Sequence, residues 1–419
     1  MTDKRSKMLW ISPYPIAPPY TGGQIRTFYL IKQLADRFDI ILVCAKTPSA
    51  AMPRAVKYLK ALHQVRIVQL DASIPKIFRW ANPLGQYCGP LSSWHDALDR
   101  IMRSAAPSTV VLEYSLNAET LGYLKAAHPF AKYILNMHNI ESLAVKRYAS
   151  LSRSGFARSL MIGHLQDKIE KLESCLYKFT DKVWCCSSYD AGILKSMNRH
   201  GEADIEIIPN GADVKSFSCD KSAGKYGSRR IIFVGTLRYA PVEDAIIWFY
   251  KQVWPILIKD IPDMRFRIVG SAPSARLKHA LSTDTGVELV SGVPDVRPHY
   301  DESAVSVCPI LSASGTRIKI IESMASGTPV VSTTIGAEGL EAISGRHIII
   351  ADQPKDFADA IKGLFSDHER YEKIRQNGRL MAETQYDWGV ISKAACRSID
   401  CMVGGVRPEG PAEVPPGYA

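Results

Sequence analysis

The chain has 419 residues, more than one hydrophobic core normally serves, so two domains are expected. Apolar residues make up 46% and charged residues 22%, a globular composition that excludes a disordered chain. No apolar run approaches the roughly 18–20 residues of a membrane-spanning helix. The start lacks a signal-peptide core, and the nine cysteines form no C-x-x-C pair, so we expect a cytoplasmic protein with reduced thiols.

The positive charge is concentrated in the first half of the chain. Residues 1–200 contain 27 Lys+Arg and 14 Asp+Glu, a net of +13, whereas residues 201–419 contain 25 and 28, a net of −3. A basic half beside a slightly acidic half suggests that one domain faces an anionic partner. Three explanations of this charge are possible at this point: binding to nucleic acid, binding to an anionic membrane surface, and a basic surface without a partner.

Short apolar runs alternate with helix-like segments in the first half. Helices are predicted at 24–38, 97–105 and 156–179. Strands that are apolar throughout and separated by helices indicate a parallel sheet covered on both faces. The predicted strands are MLWIS (8–12), IILVC (40–44), VRIVQL (65–70), TVVLE (109–113), KYILNM (132–137) and KVWCC (182–186).

The segment 198–230 holds four Gly, clustered charges and a Pro-Asn-Gly turn, which predicts a crossing between domains. A second alternating series follows it, and the Pro/Gly-rich residues 404–419 are predicted to be disordered. We therefore expect an α/β protein with Rossmann-like domains at 1–205 and 206–385 and a ligand cleft between them. The second set of predicted strands is RIIFVG (230–235), MRFRIVG (264–270), VELVSG (287–292), AVSVCP (304–309), PVVST (329–333) and HIIIA (347–351).

Two glycines follow the first predicted strand, in YTGGQIRT (20–27). Gly22 and Gly23 let the backbone approach a ligand closely, and the helix that begins there offers free N–H groups to an anion. A plain turn explains the pair equally well. No G-x-G-x-x-G occurs there, which argues against a dinucleotide oxidoreductase.

The segment 312–333 combines a glycine loop with cations. Ala-Ser-Gly-Thr at 313–316 supplies a loop at a helix N-terminus, a ready anion site. Arg317 and Lys319 oppose the helix dipole there, at a cost of a few tenths of a kcal/mol unless an anion binds. Glu322 could accept hydrogen bonds from ribose hydroxyls. A solvated charged helix is the alternative.

A third loop, NMHNIES (136–142), directly follows a predicted strand. His138 stands there between polar neighbours, including Asn139 and Glu141. A lone His is usually structural, but at the carboxyl end of a strand a ligand contact is equally open.

At these loops the sequence resembles a GT-B glycosyltransferase of the retaining family 4, the group 1 glycosyl transferases, over roughly residues 8–400. The resemblance implies two Rossmann-like domains facing across a cleft. ETQYDWGVISKAA (383–395) resembles the family's last helix, which implies that residues 386–403 cross back to the first domain. The motifs that carry the resemblance are SPYPIAPPYTGGQIRT, HNIES, IIPNGADVKSF, IIFVGTLRYAPVEDAI and GTRIKIIESMASGTPVVSTTIGAEGL.

The resemblance implies transfer of a sugar from a UDP- or GDP-sugar to an acceptor hydroxyl with retention, without a metal or other cofactor. His138 matches the histidine beside the donor sugar, and Arg238 and Lys319 would pair with the diphosphate, so these three are the catalytic candidates. The remaining matched positions are donor contacts: Gly22 and Gly23 at the diphosphate, Gly292 and Val293 at the base, Ser314, Gly315, Thr316 and Arg317 at the sugar and phosphate, and Glu322 at the ribose.

The chain departs from the family pattern at two places. Ser314 stands where the first Glu of the E-x7-E motif is expected, which puts the donor-sugar contacts of that Glu in doubt here. In the second domain's opening loop, Arg238 follows Gly235 but no lysine comes before Lys251. The G-T-R-x-K-x-x-E pattern resembles a branch of the family that shifts its cations onto the 312–322 helix.

Other functions remain as alternatives. A GT-B nucleotide-sugar epimerase or phosphorylase would share the architecture, and a basic nucleic-acid-binding protein is the non-enzyme alternative. We expect no nucleic acid, because the aromatic residues mostly fall within apolar runs. The carboxylates Glu202, Asp204 and Glu206 are interpreted as a solvated edge and not a metal site.

The resemblance also gives the basic first half an interpretation. A first domain that handles the acceptor, with a cation-rich segment at 51–66, suits a lipid-linked saccharide or a precursor of a cell-surface polysaccharide. We therefore expect peripheral association with the inner face of the membrane through residues 51–105.

Overall fold

The computed structural model describes residues 5–71, 91–151, 156–198, 201, 204–217 and 225–404. Within them the first sheet has seven strands, all paired in parallel, in the order β3-β2-β1-β4-β5-β6-β7. The strand order therefore reverses direction between β1 and β4. The strands are β1 Lys7–Ser12, β2 Asp39–Ala45, β3 Arg66–Leu70, β4 Thr109–Glu113, β5 Lys132–Asn136, β6 Lys182–Cys185 and β7 Asp204–Ile207.

The second sheet repeats this arrangement later in the chain. Among the described residues it has six parallel strands in the order β10-β9-β8-β11-β12-β13, with the reversal between β8 and β11. The strands are β8 Arg230–Thr236, β9 Arg265–Ser271, β10 Val287–Ser291, β11 Val305–Cys308, β12 Val330–Ser332 and β13 Ile349–Ile350.

Helices connect the parallel strands, as crossover connections require. Those around the first sheet are α1 Gly22–Leu34, α2 Met52–Ala61, α3 His95–Ala105, α4 Ala118–Ala127, α5 Glu141–Leu151, α6 Phe156–Glu173 and α7 Ser188–Met197. Those that follow are α8 Ala240–Trp248, α9 Trp254–Asp260, α10 Ala275–Leu281, α11 Arg297–Asp301, α12 Ile318–Ala325, α13 Thr334–Ala337, α14 Pro354–Ser366, α15 His368–Gln385 and α16 Trp388–Gly404.

The first sheet is buried on both faces because its strands are apolar throughout. Successive side chains of a strand point to opposite faces. Leu9 and Ile11 accordingly belong to one hydrophobic cluster, whereas Met8 and Trp10 belong to another on the opposite face. This alternation makes both faces of the sheet apolar, so helices pack on each of them.

The last helix, α16, covers the face of the first sheet that carries Trp10. Trp388 and Ile391 are buried in the same cluster as Trp10, and the Trp388 ring stacks on Tyr29 of α1 with centroids 5.6 Å apart. The crossing segments are hydrogen-bonded to each other, since Ala212 N donates to the carbonyl of Tyr386 at 2.9 Å. The chain therefore returns to its first unit after completing the second.

The prediction of two Rossmann-like units is confirmed, and two local interpretations were incomplete. Residues 204–207 are a strand and not part of the crossing, and Lys182 of β6 pairs with Asp204 and Glu206 at 3.1 and 2.8 Å. The segment 156–179 is helical to Glu173 and then forms a short 3-10 turn at Leu176–Lys178. Glu202 and residues 405–419 lie outside the described residues.

Candidate active site

The carboxyl ends of the two sheets meet where each strand order reverses. The backbone N–H of Ile140, after β5, donates to Oγ of Ser314, after β11, at 3.2 Å. In open parallel sheets such a reversal is where ligands bind. The loops singled out in the sequence, after β1, β5 and β11, therefore lie at one cleft.

The glycine pair opens α1 at the edge of this cleft. Thr21 and Gln24 form a reciprocal capping box that fixes the start of the helix. An alanine in place of Gly23 would bring its Cβ into collision with the hydroxyl of Tyr114. An alanine in place of Gly22 would have its Cβ 3.6 Å from Cδ1 of Ile318 in the second unit. The close approach of these side chains explains why this turn has glycine at position 23.

His138 lies against two residues at the end of β4. Its ring stacks on Tyr114 with centroids 4.3 Å apart, and its Nε2 is 3.8 Å from Oε1 of Glu113. Burial lowers the pKa of His138 well below its usual value, and the charge of Arg26 acts in the same direction. The imidazole is therefore neutral at pH 7.

Glu113 is enclosed by donors from the elements around it. Trp10 Nε1 donates to its Oε1 at 3.0 Å, and the Thr27 hydroxyl donates to the same oxygen. Burial raises the pKa of Glu113 to about 7, and hydrogen bonds, foremost that from Thr27, partly oppose the shift. The carboxyl group thus joins β1, α1 and β4 next to His138.

The loop before α12 docks on the His138 loop. Gly315 has a φ of +74°, and a Cβ there would lie 2.6 Å from the carbonyl oxygen of His138. Ser314 receives the hydrogen bond from Ile140, and Thr316 Oγ1 accepts one from Nδ2 of Asn210 at 2.7 Å. Ser314 and Gly315 thus also contact the first unit, and Thr316 contacts the crossing segment.

Arg317 contacts its own loop and not the open cleft. Its buried guanidinium donates to the carbonyls of Ser314 and Gly315 and to that of Ile335 at 3.1 Å. This differs from the expectation of a cation offered to the donor. The physical reason is its position immediately before α12, where the side chain folds back to satisfy loop carbonyls.

Lys319 is the cation that this helix offers to the cleft. Its Nζ lies 4.1 Å from the centroid of the Phe233 ring, and burial lowers its pKa to about 8. No ion pair or hydrogen bond to this amine is formed within the described part of the chain. A Cβ at Gly235 would lie 2.7 Å from the amine, so the glycine after β8 makes room for it.

Glu322 lies one turn further along α12, and both it and Lys319 keep part of their surface exposed. Burial raises the pKa of Glu322 to about 7, whereas Lys319 and a hydrogen bond from Tyr300 act against the shift. The Lys319 ammonium and the Glu322 carboxylate thus lie on the same side of α12.

The remaining predicted donor contacts lie at the ends of neighbouring strands. Arg238, after β8, is exposed and makes no side-chain ion pair or hydrogen bond with any described residue. Gly292, after β10, has a φ of +73° and is exposed, and Val293 packs on the second core. These three residues follow strands of the second sheet and lie at its carboxyl end.

Sequence reasoning missed four residues of the first unit: Glu113, Tyr114, Arg26 and Asn136. Arg26 is completely buried and donates twice to Oδ1 of Asn136, at 3.0 and 2.8 Å. Two features of the sequence could have identified them: an arginine within the apolar face of α1 and a glutamate at the end of a buried strand.

Comparisons with known proteins agree with this architecture. The structure of sucrose-phosphate synthase from Thermosynechococcus elongatus superposes with a TM-score of 0.73 at 16% identity, over 96% of this chain and all of that one. Anabaena Alr3699/HepE in complex with UDP and glucose superposes with a TM-score of 0.69 at 14% identity, over 94% of this chain and 99% of that one. The fold is GT-B.

The sequence matches are shorter than these GT-B superpositions. Residues 228–367, which include the whole second sheet, match the family model of group 1 glycosyl transferases. An uncharacterized 44.6 kDa protein in the cps region of Klebsiella pneumoniae is 29% identical over 164 residues, 38% of this chain and 42% of that protein. The chain spans between 41% and 50% of the length of three curated relatives that it matches.

No helix among the described residues of this GT-B chain combines the length and the apolar character needed to cross a membrane.

Proposed function

We propose that the protein is a glycosyltransferase that moves a sugar from a nucleotide diphospho-sugar to an acceptor hydroxyl. The observation that carries the proposal is Lys319 at the cleft between the two strand-order reversals, where its amine forms no ion pair or hydrogen bond with any residue that the structure describes. Its place in the first turn of α12, beside the Gly315 loop, suits the phosphates of such a donor.

Stabilisation of the leaving diphosphate is the main chemical task. Negative charge grows on the diphosphate as the anomeric carbon separates from it, and preorganised cations lower that barrier most. Lys319 and the exposed Arg238 supply the positive charge. Neutral His138, held against Tyr114, contacts the sugar without adding a charge.

Retention follows in this proposal from same-face attack. The leaving diphosphate accepts the proton of the acceptor hydroxyl, so neither a protein nucleophile nor a metal ion takes part. Activity that persists in EDTA, together with NMR of the product anomer, tests both statements.

The donor is proposed to be a UDP- or GDP-sugar. Anabaena Alr3699/HepE has been crystallised with UDP-glucose and with UDP and glucose, which supports a nucleoside diphosphate in the cleft. Glu322 accepts hydrogen bonds from the ribose hydroxyls, and backbone at Gly292 and Val293 meets the base.

The acceptor is proposed to be a lipid-linked saccharide at the inner face of the membrane. On α2 the side chains of Arg54, Lys57 and Lys60 are exposed, and Ala55 is the buried residue. Arg297 lowers the pKa of Asp295 and the charge of Lys57 acts in the same direction, so this part of α2 lies near the second unit. The membrane surface would therefore adjoin the mouth of the cleft. Failure to sediment with anionic liposomes at low salt would contradict this.

The test of the proposed function is release of nucleoside diphosphate. We expect one or more of the UDP-, GDP- and ADP-sugars to release its diphosphate slowly in water and faster with a saccharide acceptor. Epimerised nucleotide sugar in place of released nucleoside diphosphate would favour the epimerase. If the protein converts none of these donors, the proposed function is wrong.

A further inference from the structure

Two buried carboxyl groups lie directly behind the loop that carries His138. Glu141 begins α5, three residues after His138, and Glu173 ends α6. Glu141 is 1% exposed and Glu173 is completely buried. Neither is among the proposed donor contacts, so their burial needs another explanation, because a buried charge is costly unless it is compensated.

One serine hydroxyl bridges the pair. Oγ of Ser115 lies 2.9 Å from Oε2 of Glu141 and 2.9 Å from Oε1 of Glu173. A serine hydroxyl has a single proton and can donate to only one of the two. The other short contact needs a proton on the carboxyl group itself, which then donates to the serine oxygen.

The other donors identify which carboxyl is charged. Glu173 accepts hydrogen bonds from the N–H groups of Glu141 and Ser142, at 2.8 and 3.3 Å, and from the Ser142 hydroxyl. Glu141 accepts one backbone hydrogen bond, from Leu116 at 3.2 Å. Several donors stabilise an ionised carboxylate, so the negative charge belongs on Glu173 and the proton on Glu141.

The electrostatic surroundings agree with this distribution. Burial raises the pKa of Glu141 to about 8, and the charge of Glu173 acts in the same direction. Burial also raises the pKa of Glu173, but its four hydrogen bonds, foremost that from Ser142, oppose the shift. The charged group that faces Glu141 is Glu173, and no Lys, Arg or His forms an ion pair with either one in the described part of the chain.

We propose that Glu141 and Glu173 hold one proton between them, on Glu141, and that this pair positions the loops carrying Tyr114 and His138. The pair joins three segments: the turn after Tyr114, the start of α5 after His138, and the end of α6. The positioning role rests on the proposed function, whereas the shared proton does not.

The second unit presses on the opposite side of the same loop. Ser314 receives the hydrogen bond from Ile140, and Gly315 lies against the carbonyl of His138. The loop is thus held between the second unit and the carboxyl pair. Loss of the shared proton places two like charges around Ser115 and weakens the inner support.

The dependence of stability on pH follows from the raised pKa. The pKa of Glu141 in the folded state, about 8, exceeds that of an unfolded glutamate, about 4.3. Its contribution to stability is therefore complete below the unfolded value and is lost as pH rises through the folded value. Glu141→Gln is neutral at every pH and lacks this loss.

The experiment compares unfolding temperatures of wild type, Glu141→Gln and Glu173→Gln from about pH 6 to about pH 9.5. Exposed Glu170 of α6 provides the matched control, Glu170→Gln. We expect wild type and control to lose stability alike as pH rises from about 6 to about 8, and Glu141→Gln to gain several degrees relative to wild type over this interval. Glu173→Gln should be less stable at every pH or fail to fold. A Glu141→Gln curve parallel to wild type overturns the proposal.

Infrared spectroscopy of the same variants observes the proton directly. A carboxylic-acid carbonyl component that is present in wild type at neutral pH and removed by Glu141→Gln supports the assignment, and a band unchanged by Glu141→Gln contradicts it. Glu113 and Glu322, whose pKa values are about 7, account for the band that remains. Neither measurement needs turnover, so a chain without transferase activity leaves this test intact.

Discussion

At the residue scale, the His138 ring is held in place by its neighbours and is uncharged at neutral pH. Its ring stacks on Tyr114 and its Nε2 approaches the Glu113 carboxyl at 3.8 Å. We expect His138→Ala to lower donor turnover at least about 10²-fold, because a reactant misplaced by a small distance loses rate on this scale. The fold should remain intact, as circular dichroism can establish. Near-complete activity in a folded His138→Ala protein would refute the assigned role.

Lys319 and Glu322 set the expected pH dependence of the proposed reaction. The Glu322 carboxylate is lost as pH falls through about 7, and the Lys319 ammonium is lost as pH rises through about 8. The kcat/KM of the free enzyme should therefore peak between these values. Lys319→Arg, which stays charged, should lose the alkaline decline, whereas Lys251→Arg on the surface should keep it. An alkaline limb that persists in Lys319→Arg would rule out Lys319 as its source.

Gly23 allows a test of whether the close approach of Tyr114 requires glycine at this position. A side chain at this position meets the hydroxyl of Tyr114. We expect Gly23→Ala to displace the Tyr114–His138 stack and lower activity at least about 10-fold. Tyr114→Phe removes the colliding oxygen, so Gly23→Ala/Tyr114→Phe should recover part of the loss when both variants are assayed side by side. A double variant as weak as Gly23→Ala would show that the collision is not the cause.

At the element scale, α16 attaches the end of the chain to the first sheet. Trp388 is buried among residues of β1 and α1, so Trp388→Ala should cost about 3–5 kcal/mol of unfolding free energy. Its indole N–H has no hydrogen-bond partner among the described residues, and Trp388→Phe should therefore cost much less. Denaturant unfolding, with exposed Val390→Ala of the same helix as control, measures this. A cost below about 1 kcal/mol for Trp388→Ala would mean that α16 contributes little.

Most strands could be predicted because they are continuously apolar, and β7 could not. DIEI alternates charged and apolar residues within a Gly-rich segment, since β7 is an edge strand whose acidic side chains pair with Lys182. Lys319 and Glu322 could be found because they lie within one short motif. Glu113 and Glu173 could not, because their roles depend on partners that only the tertiary fold brings near: Thr27 is 86 residues from Glu113, and Ser115 is 58 from Glu173.

At the scale of the whole molecule, two similar sheets bring their strand-order reversals to one cleft. The first unit supplies a neutral, tightly packed histidine, and the second supplies a lysine that forms no direct ion pair within the described residues. This division suits a donor whose phosphates are held by the second unit while its sugar meets the first. The uneven charge is consistent with an acceptor side that faces an anionic surface.

Calorimetric titration of the full chain with UDP, GDP and their sugars tests the central claim most directly. We predict saturable binding of one of these nucleotides to wild type and to Lys251→Ala, and at least about 10-fold weaker binding to Lys319→Ala, which loses a charge-assisted contact to phosphate. Equal affinity in wild type and Lys319→Ala, or binding of none of these nucleotides by the folded wild type, would contradict it.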